Sequence, residues 1–264
     1  MLGRLTAMLV IGSLSLMLAA CQTTVSFPGA PLGNDPATPP ISGLMAKPAG
    51  NGPFPAVVML HSCGGMKPHL DAGWPAYFTS LGYAVLAVDT FGSRGYGPCP
   101  NPLWAFATLF VKDAYGALDY LVKQPFIDAN RVAVIGFSIG ADHINNALIP
   151  WRVRKPGEHD FKAAIAFYGR CDATGSYPEG SIPLMEVIAE NDTGTYSSGC
   201  INKLTMNPRI QVHVLAGAYH AFDVPGARGQ KDPAGNTMVY SAIATNEARE
   251  YAGAFLRKHL GSIR

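Results

Sequence analysis

RVAVIGFSIGAD, residues 131–142, runs from a continuous apolar segment straight into a serine held between two glycines. Val132 to Ile135 read as a strand buried on both faces, and Ile139 onward reads as a helix. Gly136 and Gly140 let strand and helix approach closely around a tight turn, which would lift the Ser138 hydroxyl above a sheet edge. The turn also sets that hydroxyl at a helix N-terminus, where free N–H groups stabilise negative charge. The alternative is a serine chosen only for its small size. The short motif occurs by chance in many chains, so its flanks decide between the two.

Those flanks repeat the pattern. PAVVMLH (55–61), YAVLAVD (83–89), FKAAIAFYG (161–169), PLMEVIAEND (183–192) and IQVHVLAGAYH (210–220) are short apolar runs. Between or after them lie the helical patterns DAGWPAYFTSLG (71–82), LWAFATLFVKDAYGALDYLVKQ (103–124), IGADHINNALI (139–149) and TMVYSAIATNEAREYAGAFLRKHL (237–260). ISGLMAKP (41–48) fits an edge strand. Short buried strands alternating with amphipathic helices specify an α/β fold with a mostly parallel sheet. Sites on such sheets lie beyond the carboxyl ends of the strands. His61, Asp89, Ser138, Asp192 and His220 all fall at such ends.

The chain has 264 residues, 48% of them hydrophobic and 14% charged, with a formal net charge of +2. This suits one domain with a sizeable core and excludes a disordered chain. Lys and Arg are scattered, so no nucleic-acid surface is expected. Arg4 and the apolar stretch from Leu5 to about Ala20 have the layout of a secretory signal. Leu18-Ala19-Ala20-Cys21 resembles the bacterial lipobox. That resemblance implies a signal peptide over 1–20, a lipid on Cys21 and a bacterial membrane as partner. Gln22, in place of Asp, points to the outer membrane of an exported lipoprotein. The Pro- and Gly-rich stretch 21–40 reads as a flexible tether, and 41–264 as the folded domain. The remaining cysteines, Cys63, Cys99, Cys171 and Cys200, suggest disulfides in an exported protein. Of the three possible pairings we favour Cys63–Cys99 and Cys171–Cys200, each joining loops that leave the same sheet edge. No zinc-type spacing occurs, and no metal or cofactor is expected.

A serine nucleophile needs a base and a group that orients the base. His220, directly after an apolar strand, is the candidate base. His213 lies within that strand; His69, His143, His159 and His259 have no evident partner, and His61 comes too early in the chain. Asp192 is the candidate acid, with Glu190 and Asp172 as rivals. The N–H of Ile139, beside the nucleophile, and that of Cys63, in the glycine-bearing loop HSCGG (61–65), are the expected oxyanion donors.

PFPAVVMLHSCGG, LGYAVLAVDTFGSRG, RVAVIGFSIG, AENDTGT and GAYHAF together resemble the dienelactone hydrolase family of α/β-hydrolases, over about residues 45–260. The resemblance implies an α/β-hydrolase fold with about eight strands and helices on both faces. It also implies a nucleophile–Asp–His triad on Ser138, Asp192 and His220, and supports the Cys63 N–H as oxyanion donor. Three departures matter. The enzymes that name the family use a cysteine nucleophile; they carry a glutamate where Ser62 stands; and they bind a substrate carboxylate with arginines, of which Arg94 is the one candidate match. Ser62, Arg94 and Phe137 are the candidate substrate contacts. A serine carboxylesterase acting on a small or moderate ester fits best. A peptidase or acyltransferase would use the same triad, and a catalytically silent binding lipoprotein would keep the scaffold.

Overall fold

The computed structural model describes residues 22–151, 154–155, 157–170, 181–192 and 207–261. Eight strands form one sheet: β1 (Gln22–Pro28), β2 (Pro40–Ala46), β3 (Phe54–Leu60), β4 (Ala84–Val88), β5 (Ile127–Phe137), β6 (Ala163–Phe167), β7 (Leu184–Ala189) and β8 (Ile210–Leu215). Their order across the sheet is β1-β2-β4-β3-β5-β6-β7-β8. β1 and β2 run antiparallel to their neighbours, and β4 through β8 are joined in parallel. A separate antiparallel ribbon pairs β9 (Arg228–Lys231) with β10 (Thr237–Val239).

The apolar runs at 55–60, 84–88, 132–137, 163–167 and 184–189 are inner strands, whereas the run at 210–215 is β8, the half-exposed strand at the far edge. β4, β6 and β7 are buried at every position, as strands covered on both faces must be. One face packs on α2 (Ala107–Leu121), α3 (Ile139–His143) and the helical turns that follow α3 into α4 (Ile149–Trp151), through Val58, Leu60, Val134, Phe110, Leu118 and Ile144. The other packs on α1 (Trp74–Ser80) and α5 (Ala242–Leu260), through Met59, Ile135, Phe167, Trp74, Phe78 and Leu256. α1 starts with Pro75 in its first turn, where a missing N–H costs nothing. α5 is capped by the Ser241 hydroxyl, which accepts from Ala244 N at 3.2 Å. Arg257, Lys258 and His259 in its last turn suit the negative end of the helix dipole.

Two expectations are corrected. Residues 21–40 were expected to be a flexible tether, but Gln22–Pro28 is the edge strand, outside β2. Phe27 is buried, Ala30 N donates to Lys112 O at 2.8 Å, and Lys112 Nζ reaches Pro36 O at 2.6 Å. Gly116 of α2 makes the fit possible: a Cβ there would lie 2.2 Å from Pro28 O. The prolines and glycines masked a segment that is nailed to α2. The last helix also begins later than its apolar pattern suggested. Thr237–Val239 is strand, and the helix starts after its Ser241 cap.

Candidate active site

β3, β5 and β6 end in register, with Leu60 beside Gly136 and Phe137 beside Phe167. The segments leaving these ends, together with those leaving β7 and β8, therefore meet over one edge of the sheet. Ser138 follows β5 with φ 51° and ψ −115°, a conformation costly for any residue with a Cβ. Ser138 N donates to Phe167 O at 3.0 Å, and Asp142 N donates to Ser138 O at 2.9 Å, opening the helix. The flanking glycines answer the question their sequence raises. A Cβ on Gly136 would stand 2.4 Å from Gly140 C, and one on Gly140 would stand 2.5 Å from Leu60 O. Neither position has room for a side chain, because strand, turn and helix touch there.

The turn aims Ser138 Oγ at His220 Nε2, 3.0 Å away. The other ring nitrogen, Nδ1, stands 2.6 Å from Asp192 Oδ2. Asp192 is buried in the turn after β7, where its own N–H donates to Ala189 O at 3.1 Å. Glu190, its rival, is exposed and accepts from Gly217 N at 2.7 Å. Asp172, the other rival, lies outside the described residues, as do Cys21, Cys171 and Cys200. A carboxylate on Nδ1 fixes the proton there and leaves the Nε2 lone pair facing the serine, the arrangement a general base requires.

Backbone strain concentrates here. Among the described residues the non-glycine positions with positive φ are Cys99, Ser138, Tyr168 and Ala221. Tyr168 follows β6 and sets its ring edge-on to His220, with centroids 5.0 Å apart. Its hydroxyl and the Trp74 indole N–H both donate to the buried carboxylate of Asp223, each at 2.7 Å. This network carries the segment after His220, with Ala221 in its strained conformation.

The loop after β3 is held twice. Cys63 and Cys99 form a disulfide, and Cys99 N donates to Cys63 O at 2.5 Å. His61 holds it from the other side: its Nδ1 lies 2.7 Å from Ser62 O, and Thr90 N donates to its Nε2 at 3.1 Å. These partners fix one neutral tautomer, and burial pushes the imidazole below its ordinary range. The Ser62 carbonyl and the Cys63 N–H belong to one planar trans peptide, so they point in opposite directions. Anchoring the carbonyl to His61 therefore turns the Cys63 N–H away from His61. The expected order of nucleophile, acid and base hid this residue, although it stands directly before Ser62 and Cys63.

The structure corrects two expected substrate contacts. Arg94 turns inward and donates through both terminal nitrogens to Asp113, each at 2.8 Å, with its side chain 16% exposed. Phe137 is fully buried and stacks on Phe167 in the core on the α1 side. Ser62 is half-buried in the loop beside Gly64. One carboxylate at the site was not anticipated at all. Asp232, between β9 and β10, places Oδ2 at 3.8 Å from His220 Nε2.

Residues 41–260 match the dienelactone hydrolase family. The chain is 33% identical over 107 residues to the esterase FrsA of Klebsiella pneumoniae subsp. pneumoniae, a stretch covering 40% of this chain and 25% of that protein. The match thus spans about a quarter of that relative's length. Among solved structures, the dienelactone hydrolase-like promiscuous phosphotriesterase P91 from metagenomic libraries superposes with a TM-score of 0.66 at 21% identity, covering 91% of this chain and 99% of that one. A puromycin-hydrolyzing peptidase of Mycobacterium tuberculosis superposes with a TM-score of 0.64 at 20% identity, covering 93% of this chain and 40% of that one. These two likenesses establish the α/β-hydrolase fold, a scaffold shared by different chemistries.

Proposed function

We propose that this chain, which belongs to the dienelactone hydrolase family, hydrolyses carboxylic esters with Ser138 as its nucleophile. The observation that carries the proposal is the hydrogen-bonded series from Ser138 Oγ through His220 to Asp192, built on a strained turn at a helix N-terminus. A serine used only for its size needs neither the series nor the strain.

In this reading His220 Nε2 takes the hydroxyl proton as Oγ attacks the ester carbonyl. Asp192 holds the Nδ1–H and offsets the positive charge that forms on the ring. The oxyanion is met by the N–H of Ile139, one of the first-turn groups with no acceptor inside the helix, and by the N–H of Cys63. The tetrahedral intermediate collapses, and imidazolium returns the proton to the departing alcohol. Water, deprotonated by the same imidazole, then releases the acid from Ser138.

We also propose that the chain is an exported lipoprotein anchored through Cys21. The lipobox-like ending at Cys21 supports this, and the Cys63–Cys99 disulfide suits an oxidising compartment. Because β1 begins at Gln22, the anchor would hold the sheet edge directly against the bilayer.

The test is a panel of p-nitrophenyl esters of increasing acyl length, assayed with intact protein and with Ser138→Ala. We expect turnover that the variant loses by at least about a thousandfold. Turnover equal in both proteins would overturn the proposal, and a folded intact protein inert to the whole panel would favour a binding role on a retained scaffold.

A further inference from the structure

The ring of His220 lies between two carboxylates, and the triad uses one. Asp192 meets Nδ1 at 2.6 Å. Asp232 stands on the Nε2 side, its Oδ2 3.8 Å away, where Ser138 Oγ also sits. That distance is too long for a hydrogen bond and short enough for a strong field.

Asp232 is fixed in place. Its Oδ1 accepts from Asn236 N at 2.8 Å and its Oδ2 from Asn236 Nδ2 at 2.9 Å. Its N–H donates to Asn236 O at 2.9 Å, closing the turn 232–236 on itself. A bridge between His220 and Met238 locks the ribbon to the segment that carries the base. The side chain is 8% exposed. The Asn236 N–H needs one acceptor at the first position of the turn, which an asparagine also supplies; the bond from Asn236 Nδ2 uses the second carboxylate oxygen, which an asparagine lacks. Two neutral donors need acceptor oxygens and not a full charge, and that charge falls beside Nε2.

Nε2 is the atom that hands a proton to the departing alcohol. A group facing Nε2 therefore faces the alcohol half of an ester. Arg94, the residue expected to greet a substrate carboxylate, is committed to Asp113. We infer that Asp232 is a specificity-determining residue that selects esters with a neutral or cationic alcohol portion and rejects those with an anionic one. The inference rests on the ester-hydrolase reading above and names the substrate class within it.

Three acetate esters that differ in the charge of the alcohol portion provide the test: acetylcholine (cationic), 3,3-dimethylbutyl acetate (its neutral isostere) and O-acetylglycolate (anionic). Hydrolysis is followed by pH-stat at low ionic strength for intact protein, Asp232→Asn, Asp232→Ser and Ser138→Ala. A fixed carboxylate about 6 Å from the alcohol's charge supports roughly tenfold discrimination at a partly solvated site. We expect kcat/KM to fall at least about tenfold from the cationic to the neutral ester, and about tenfold again to the anionic one. Both ratios should fall to those of the uncatalysed hydrolysis of the same esters when Asp232 loses its charge. The readout is a ratio within each protein, so a change in overall activity does not obscure it, and the serine variant serves if the asparagine variant fails to fold. A flat or reversed order in the intact protein overturns the inference, as do ratios that survive unchanged in the Asp232 variants. If Ser138→Ala hydrolyses the neutral ester as fast as the intact protein, the ester-hydrolase reading itself fails and this inference falls with it. A flat order with Ser138-dependent turnover removes the inference alone.

Discussion

Replacing His61 with phenylalanine isolates the positioning of the loop that carries Cys63, the proposed oxyanion donor, from the chemistry of the proposed triad. A phenyl ring fills the slot between Phe91 and Phe110, which now flank the imidazole at centroid distances of 4.7 and 5.3 Å. It removes the bond to Ser62 O and the acceptor for Thr90 N. Thr90 is buried, so its stranded N–H costs about 1–3 kcal/mol. Ser62 O keeps its bond from Gly65 N at 3.0 Å, so losing His61 there costs about 1 kcal/mol more. The expected loss of stability is about 2–4 kcal/mol, read as a lower midpoint in urea with unchanged slope. Activity should suffer separately. Deleting one oxyanion donor costs about a hundredfold to a thousandfold in kcat, and a donor left in place but unaimed should cost about tenfold or more. KM should change little, because the loss is confined to the transition state. His61→Asn, whose amide nitrogen can reach the Ser62 carbonyl, should recover part of kcat. A His61→Phe protein with kcat within about twofold of the intact protein would refute this reasoning; it would mean that Gly65 and the disulfide alone orient the peptide.

Three further outcomes follow from other parts of the molecule. The Cys63–Cys99 disulfide closes a loop of 36 residues, so Cys99→Ser should lose about 3–4 kcal/mol in chemical denaturation and lower kcat as the oxyanion loop loosens; unchanged kcat would show that the loop holds without the bond. Glu186 is fully buried in β7, and burial raises its carboxyl well above the ordinary range. The unfolded chain thus binds fewer protons than the native one above about pH 4.5, and stability falls as pH rises through that window; Glu186→Gln should gain relative stability by up to about 1.4 kcal/mol per pH unit above 4.5, whereas a gain independent of pH would contradict this. Burial lowers His143 to about 4. Its contribution is therefore complete above about pH 6.5 and lost as pH falls toward 4, so His143→Gln should flatten that part of the pH–stability curve; an unaltered slope would show that His143 takes up its proton over the same pH range folded and unfolded.

The sheet was legible because its inner strands are covered on both faces and cannot afford polar residues. Val57, Val85 and Val134 sit in runs that only a parallel, doubly covered sheet explains. The meeting of Ser138, Asp192 and His220 was legible for a related reason, since Ser138 and Asp192 follow such runs and His220 follows the apolar edge strand β8. Less could be read at the periphery. β1 carries an alternating signal in Val25 and Phe27, but Pro28 and Pro31 beside it speak against a paired strand. Arg94 looked free because nothing in the local sequence announces Asp113 nineteen positions later on α2. Asp232 was invisible: a carboxylate in an ordinary turn, twelve positions beyond His220, reaches that imidazole only because a ribbon folds back across it. Residues that act through long-range packing leave no local pattern. Residues set at the ends of buried strands do.

The central claim is that the fold activates Ser138 through His220. Residues 22–264 should be produced in an oxidising compartment, treated with a fluorophosphonate probe, digested and mapped by mass spectrometry, with Ser138→Ala and His220→Ala in parallel. The account predicts a covalent adduct on the peptide bearing Ser138, abolished in the first variant and slowed at least about a thousandfold in the second. An intact, folded protein that takes no label, or one labelled equally fast without His220, would contradict it.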